Sequence, residues 1–334
     1  IMVSIAIMVS IAIMVSIAIM VSIAPPADLM RTPHNGLPRI GPRPFLFLSL
    51  RTVIAESSII MNHSRNGPAP EDQNAAGAKP ESPIKWGKAD LHMHTSLGDG
   101  LASVRQIFEY VENYTDLDVI AITDHDDSRG ALEALELIEK RKWRFQVIPG
   151  NEITTRQGHL LALFVNCEFP MLKSLEASME AIYEAGGMAI APHPLSWLTT
   201  SIRERSLLLQ HSTKLQFHGI ETFNPSYAGR VSHKRVKEIN ETILHLPEFG
   251  GSDAHANSMI GKGFTRFPGT TIEDLLEAIK NKTTQADGMF MNLQDHAIIA
   301  APNLWKSMIV HPTYKVKRAL ARRMAARGQS SGTK

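Results

Sequence analysis

From Trp86 to Gly288 the chain alternates short apolar runs with longer stretches in which apolar residues recur three and four apart. The first run, KADLHMH, reads as a strand whose successive side chains point to opposite faces, so His92 and His94 project together and Met93 points away. Next, ASVRQIFEYVENY (102–114) sets Val104, Ile107, Phe108 and Val111 at helical spacing. DVIAITDHDD predicts a buried strand ending in Asp124 and His125, and ALEALELIEKRK, preceded by Ser128 and Gly130, predicts a strong helix. The beat continues through QVIPGNEITT, GHLLALFV, the helix SLEASMEAIYEAGG, MAIAPHP and HGIETFNPSY. A helix over 232–244, the strand EFGGSDAH and the helix TIEDLLEAIKNK complete it. Strands alternating with helices predict an α/β fold with a parallel sheet, and this many units favours a closed or nearly closed barrel.

The polar residues fall at one place in that beat. His92, His94, His125, Glu152, His193, Asp253 and His255 all sit at or just past the C-terminal end of an apolar run, the end of a parallel barrel at which active sites assemble. His211, His233, His245, His296 and His311 have no such placement and read as solvated or structural. Two imidazoles on one strand face, with no cysteine nearby, suit a divalent ion of the zinc, manganese or iron type.

Outside residues 86–290 the chain changes character. Residues 1–24 are four copies of IMVSIA, an uncharged run long enough to cross a bilayer. A perfect six-residue repeat opening on Ile reads better as translated repetitive DNA, with Met61 a candidate initiator, so a cytoplasmic location is favoured over a membrane anchor. Scattered Pro, Gly, Arg and Asn then predict a disordered leader through residue 85. The single cysteine, Cys167, excludes a disulfide framework and a cysteine-ligated metal.

Charge is uneven. Between Glu71 and Asp295 there are 22 basic and 31 acidic residues, against a net charge of +2 for the whole chain. No basic groove for long nucleic acid is advertised, which favours a small phosphorylated substrate or the end of a short oligonucleotide, with no stable long nucleic-acid complex and no obligate protein partner. The tail, 291–334, carries eight Lys and Arg and no acidic residue after Asp295. It is expected to be a solvated basic tail, with contact to anionic lipid or nucleic acid as the lesser reading.

Taken in order, HxH with a trailing Asp99-Gly100, then TDHD, a strand-end Glu, GHLL, PHP and GSDAH resemble the polymerase and histidinol phosphatase (PHP) family of metal-dependent phosphoesterases. The likeness covers about residues 88–288 and extends to GKGFTRFPG. It implies a distorted TIM-like (β/α)7 barrel holding up to three divalent ions of manganese, zinc or iron. His92, His94 and Asp253, with Glu152, match the ligands of the first. Glu152 would bridge to a second, completed by His159 and His193, and Asp99, His125 and His255 match the third. His159 is the odd member, since it opens an apolar run rather than ending one. His193 lies between Pro192 and Pro194, which restrict the backbone on both sides.

The chemistry expected of such a cluster is phosphate-ester hydrolysis by a metal-bridged hydroxide, with Glu152, His193 and Asp253 as the catalytic residues. Asp124 and Asp126 are candidates for orienting imidazoles or for turn formation. Arg156, Arg230 and Lys262, and less strongly Lys234, are candidates for gripping phosphate oxygens. Phe223 and Tyr227 are candidates for stacking on a base, although burial is the simpler fate of Phe223. The nearest family branches release phosphate from nucleoside bisphosphates or trim short oligonucleotides from the 5′ end, often with a helical insertion between the Glu and PHP motifs. Only about forty residues separate Glu152 from His193 here. The alternatives are a histidinol-phosphate phosphatase and a non-catalytic PHP module with a structural role. An amidohydrolase would carry a strand-end lysine, and none is found.

Overall fold

A computed structural model of the protein describes residues 84–292. The expectations for the leader up to residue 83 and for the basic tail beyond 292 lie outside these residues. Nine strands form one sheet in the order β7-β6-β5-β4-β3-β2-β1-β8-β9. In chain order they are β1 (Trp86–Asp90), β2 (Val119–Ile122), β3 (Gln146–Thr154), β4 (His159–Leu163), β5 (Met188–Ala191), β6 (Gly219–Phe223), β7 (Glu248–Gly250), β8 (Gly263–Pro268) and β9 (Gln285–Gly288). The helices are α1 (Val104–Tyr114), α2 (Arg129–Lys140), α3 (Leu175–Glu184), α4 (Glu204–His211), α5 (Tyr227–Ile239) and α6 (Ile272–Lys280).

Strands β1, β2 and β3 are parallel, as are β5, β6 and β7, and β4 is antiparallel to both of its neighbours. The reversal of β4 departs from the all-parallel reading for a simple reason. Only residues 155–158 join β3 to β4, whereas a parallel return needs a dozen or more. The turn is tight: Thr155 N–H donates to Gly158 O (3.1 Å), and Gly158 sits at φ +140° with its Cα against the backbone of Ser201 and Ile202.

The sheet closes differently at its two ends. Past the ends of β1 and β7, Met93 pairs in parallel with Ala254; His94 N–H donates to Ala254 O (2.9 Å) and Ala254 N–H to His92 O (3.3 Å). At the opposite end β8 lies antiparallel to β1, and the Thr265 hydroxyl bonds both the N–H and the carbonyl of Gly250 at 3.1 Å. The result is the distorted (β/α)7 barrel, nearly closed, with β8 and β9 added beside β1.

The helices pack their apolar stripes outside this sheet. Val104, Ile107, Phe108 and Val111 of α1 are buried with Ile120 and Ile122 of β2, Phe145 and Met259. Leu175, Met179 and Ile182 of α3 join Leu160, Ala189, Ile220, Val236 and Ile239 in a second cluster. Polar caps fix the helix starts: Ser103 and Gln106 form a reciprocal capping box on α1, and Thr271 and Asp274 do so on α6. Ser226 caps α5 by accepting from Gly229 N, so that helix starts at Tyr227, five residues ahead of the periodicity. Among the described residues no helix is long and apolar enough to cross a membrane.

A Cβ on Gly158 would lie 2.3 Å from Ile202 N. Gly158→Ala is expected to cost about 1–3 kcal/mol of stability, from the contact and the positive φ together, read as a lower urea midpoint with an unchanged slope.

Candidate metal centre

The chain continues beyond β1 in extended form, with Met93 fully buried in the core and His92 and His94 buried on the other face. Asp90 anchors this stretch to the loop after β7 by accepting from Ser252 N (3.0 Å) and Gly261 N (2.8 Å). Burial outweighs those bonds and pushes its carboxyl up to about 6. After His94 the chain turns sharply. Asp124 takes both the N–H (2.7 Å) and the hydroxyl (2.6 Å) of Thr95, and Gly100 packs so closely on the His94 carbonyl that a Cβ there would lie 2.2 Å from it.

The nine expected ligand residues converge. His92 Nε2 and His94 Nε2 lie 3.1 and 3.2 Å from Glu152 Oε2, and 3.5 and 3.2 Å from Asp253 Oδ1. The other oxygen of Glu152, Oε1, faces His159 Nδ1 and His193 Nε2, each at 2.9 Å, while His125 Nδ1 stands 3.1 Å from Oε2. Around Asp99, His255 Nε2 lies at 3.4 Å, His94 Nδ1 at 3.7 Å and His125 Nε2 at 3.8 Å. Three groups of possible ligand atoms emerge: His92, His94, Glu152 and Asp253; His125, Glu152 and His159; and His94, Asp99, His125 and His255. His193 contacts the same Glu152 oxygen as His159 and lies beside the second group.

His159 is no exception after all. Because β4 runs backward, its first residue stands at the end of the barrel where the parallel strands finish, in register with Thr154 and two residues from Glu152 along β3.

Several imidazoles are held from behind so that one nitrogen faces inward. His92 Nδ1 donates to Glu221 Oε1 (2.8 Å), His255 Nδ1 donates to the Asp253 carbonyl (2.9 Å), and His193 Nδ1 bonds the Ser201 hydroxyl (2.9 Å), itself bonded to Thr199 (2.8 Å). In contrast, His92 Nε2, both nitrogens of His94, Asp99 Oδ1, Glu152 Oε2 and His159 Nδ1 are buried without a hydrogen bond. A carboxylate and imidazoles that approach within about 3 Å yet do not bond are arranged for a third party. A divalent cation fits this donor set, with one imidazole nitrogen fixed outward and the other free to coordinate.

Electrostatics agree. Burial disfavours ionised Glu152, but His125, His159 and His92 overcome it and hold the carboxyl well below its usual range. Burial likewise opposes the charge on Asp253 and Asp99, and the surrounding histidines drive both down. Against its own burial, His94 is raised to about 10 by Asp253, Glu152 and Asp99, and His92 is raised well above its usual value by Glu221, Glu152 and Asp253. His193 and His255 are raised as well, whereas burial drives His125 well below its usual value, so without a cation protons are favoured on part of the cluster.

Other candidates are engaged elsewhere. Arg156 is exposed and donates to Leu172 O (2.9 Å), and Arg230 lies over the Phe290 ring, 5.4 Å from its centroid. Lys262 lines a cavity of about 420 Å³ with Tyr110, Ser258, Phe264, Asp287 and Met289, and none of the nine converging residues lines it. Lys234 is exposed. Phe223 is buried against Phe290 and His233, leaving Tyr227 as the exposed ring. Asp124 binds Thr95, and Asp126 takes the N–H and hydroxyl of Thr154, both at 2.7 Å. The carboxylate behind an imidazole is Glu221, which sequence reasoning passed over. Its signal was a lone acid inside the apolar strand GIETF, where every residue is buried.

A family model described as PHP-associated matches residues 241–284. Over 172 residues the chain is 32% identical to an uncharacterized protein of Methanocaldococcus jannaschii, covering 48% of this chain and 94% of that one. It is 31% identical over 106 residues to the 5′-3′ exoribonuclease Rnm of Salmonella typhimurium, covering 30% of this chain and 36% of that protein. Among solved structures it is similar to a two-domain protein from Bacteroides vulgatus containing a predicted PHP-like metal-dependent phosphoesterase. That match has 21% identity and a TM-score of 0.49, over 71% of this chain and 75% of that one. With the six motifs brought to one end of a distorted barrel and a relative matched over nearly its whole length, the chain belongs to the PHP family.

Proposed function

We propose that the protein hydrolyses phosphate esters on a small phosphorylated substrate, such as a nucleoside 3′,5′-bisphosphate or the 5′ end of a short oligonucleotide. Up to three divalent ions of the manganese, zinc or iron type serve it. His92, His94, Glu152 and Asp253 would hold the first, Glu152, His159 and His193 the second, and Asp99, His125 and His255 the third. The observation that carries the reading is Glu152, wholly buried, with three imidazoles at one carboxylate oxygen and two at the other. When bound, such ions supply Lewis acidity and bring the pKa of water from about 15.7 toward 7.

The chain's own residues set where the ester enters. His92, His94 and Glu152 have no exposed side-chain surface, whereas those of His125, His159, Asp253 and His255 are 14–16% exposed. These four rim the opening, so an anionic substrate meets the cluster across them. With an excess of nine acidic residues between Glu71 and Asp295, positive field for a phosphate comes from the centre itself, which favours short substrates. The likeness to an exoribonuclease over 106 residues supports the oligonucleotide end as one such substrate.

Assayed with manganese, zinc and iron, the wild type is expected to turn over p-nitrophenyl phosphate and a nucleoside 3′,5′-bisphosphate. His94→Ala and Asp253→Ala should each lower kcat/KM by about 10³-fold or more, and undiminished turnover in both would remove the mechanism. Preference for histidinol phosphate in the same panel would move the assignment to that alternative. A second expectation concerns pH. Because His94 titrates near 10 without a cation, protons compete with metal throughout the neutral range. Apparent affinity for manganese should therefore rise from pH 6 to pH 9, with protons released on binding, as read by calorimetry in buffers of different ionisation enthalpy. A flat profile would contradict it.

A further inference from the structure

Glu221 touches the centre at two points. Buried on β6, it accepts His92 Nδ1–H on one oxygen (2.8 Å) and the His193 backbone N–H on the other (2.7 Å). The two partners face different oxygens of Glu152: His92 faces Oε2, and Asp253 as well, and His193 faces Oε1. His193 also sits at φ +27°, a conformation that a non-glycine residue adopts only when its surroundings enforce it. Space for this bracket is cleared by Gly251, where a Cβ would lie 2.3 Å from Glu221 Oε1.

We propose that Glu221 is a positioning residue for metal binding, and that it ties the first and second ion sites together. The inference rests on the metal-centre reading given above. It fixes the proton of His92 on Nδ1, so that Nε2 presents its lone pair toward Glu152 and Asp253, and it pins the strained His193 backbone so that Nε2 of that ring reaches Glu152. Both partners are donors, so both positions require an acceptor. Glutamine has the same shape but only one acceptor oxygen. Its amide group must then face either the His193 N–H, donor against donor, or His92 Nδ1, which would then have to accept, moving the His92 proton to Nε2 and removing the lone pair a metal needs.

Glu221→Gln therefore separates space filling from positioning. The purified full chain and the variant would be titrated with manganese and zinc by calorimetry, with bound metal counted by elemental analysis. The zinc-loaded forms, labelled with ¹⁵N histidine, would be examined by NMR. The variant is expected to bind metal about 10–100-fold more weakly and to lose the His92 Nδ1–H signal where its amide group turns toward His92, with a far-ultraviolet circular dichroism spectrum like that of the wild type showing that the fold is kept. Glu221→Asp, which keeps two acceptor oxygens, should recover part of the affinity. Wild-type affinity and an unchanged His92 signal in Glu221→Gln would overturn the positioning role alone. Failure of the wild type to bind metal would instead remove the metal-centre reading, and this inference with it.

Discussion

A carboxylate sealed from water stays ionised only if positive charge is brought to it, and Glu152 is sealed completely. Five imidazoles reach its two oxygens from β3's neighbours on both sides and from β1 and β5, so the whole upper end of the barrel is arranged around one side chain. Without cations, protons on His92, His94 and His193 are favoured by the carboxylates beside them, in keeping with the depressed values of Glu152, Asp99 and Asp253, while burial pushes His125 the other way, toward its neutral form. A cation bound there would take the same atoms as ligands, giving partners to buried oxygens and nitrogens that lack hydrogen bonds.

Backbone architecture makes that convergence possible. Closure of the barrel by the Met93–Ala254 bridge brings His92 and His94 beside Asp253 from the opposite end of the domain's sequence. The reversal of β4 delivers His159 to the same end, and Asp126 ties the end of β3 in place through Thr154. Asp90 and Asp124 stiffen the loops on either side of the HxH stretch by binding backbone N–H groups rather than imidazoles. Rigidity at the ligands thus comes from carboxylates aimed at the main chain, and in one case, Glu221, from a carboxylate aimed at main chain and imidazole together.

Much of this was legible in the sequence, because period-two alternation puts His92 and His94 on one face and because strand ends mark the catalytic end of such a barrel. His159 looked misplaced only under the assumption that every strand runs the same way; the four-residue link from Thr154 to His159 is where the exception could have been read. Less legible were the contacts that depend on side-chain reach. Glu221 was hidden by its apolar neighbours in GIETF, and the bonds of Asp124 and Asp126 to threonines on other elements could not be read from their place beside His125. Among the basic residues that follow strand ends, Arg156 donates to a carbonyl, Arg230, in the first turn of α5, lies over a ring, and Lys262 lines a separate cavity. Helix α4 and strand β9 escaped the periodicity because one has only eight residues and the other is largely exposed, whereas β8, GFTRFP, alternates in burial but is bracketed by Gly and Pro that read as turns.

The most direct test is anomalous diffraction from crystals grown or soaked with manganese. The account predicts strong anomalous density within bonding distance of both Glu152 oxygens, one peak shared with His92, His94 and Asp253 and another with His159 and His193. Density confined to surface carboxylates, with the space around Glu152 free of metal at saturating manganese, would contradict it.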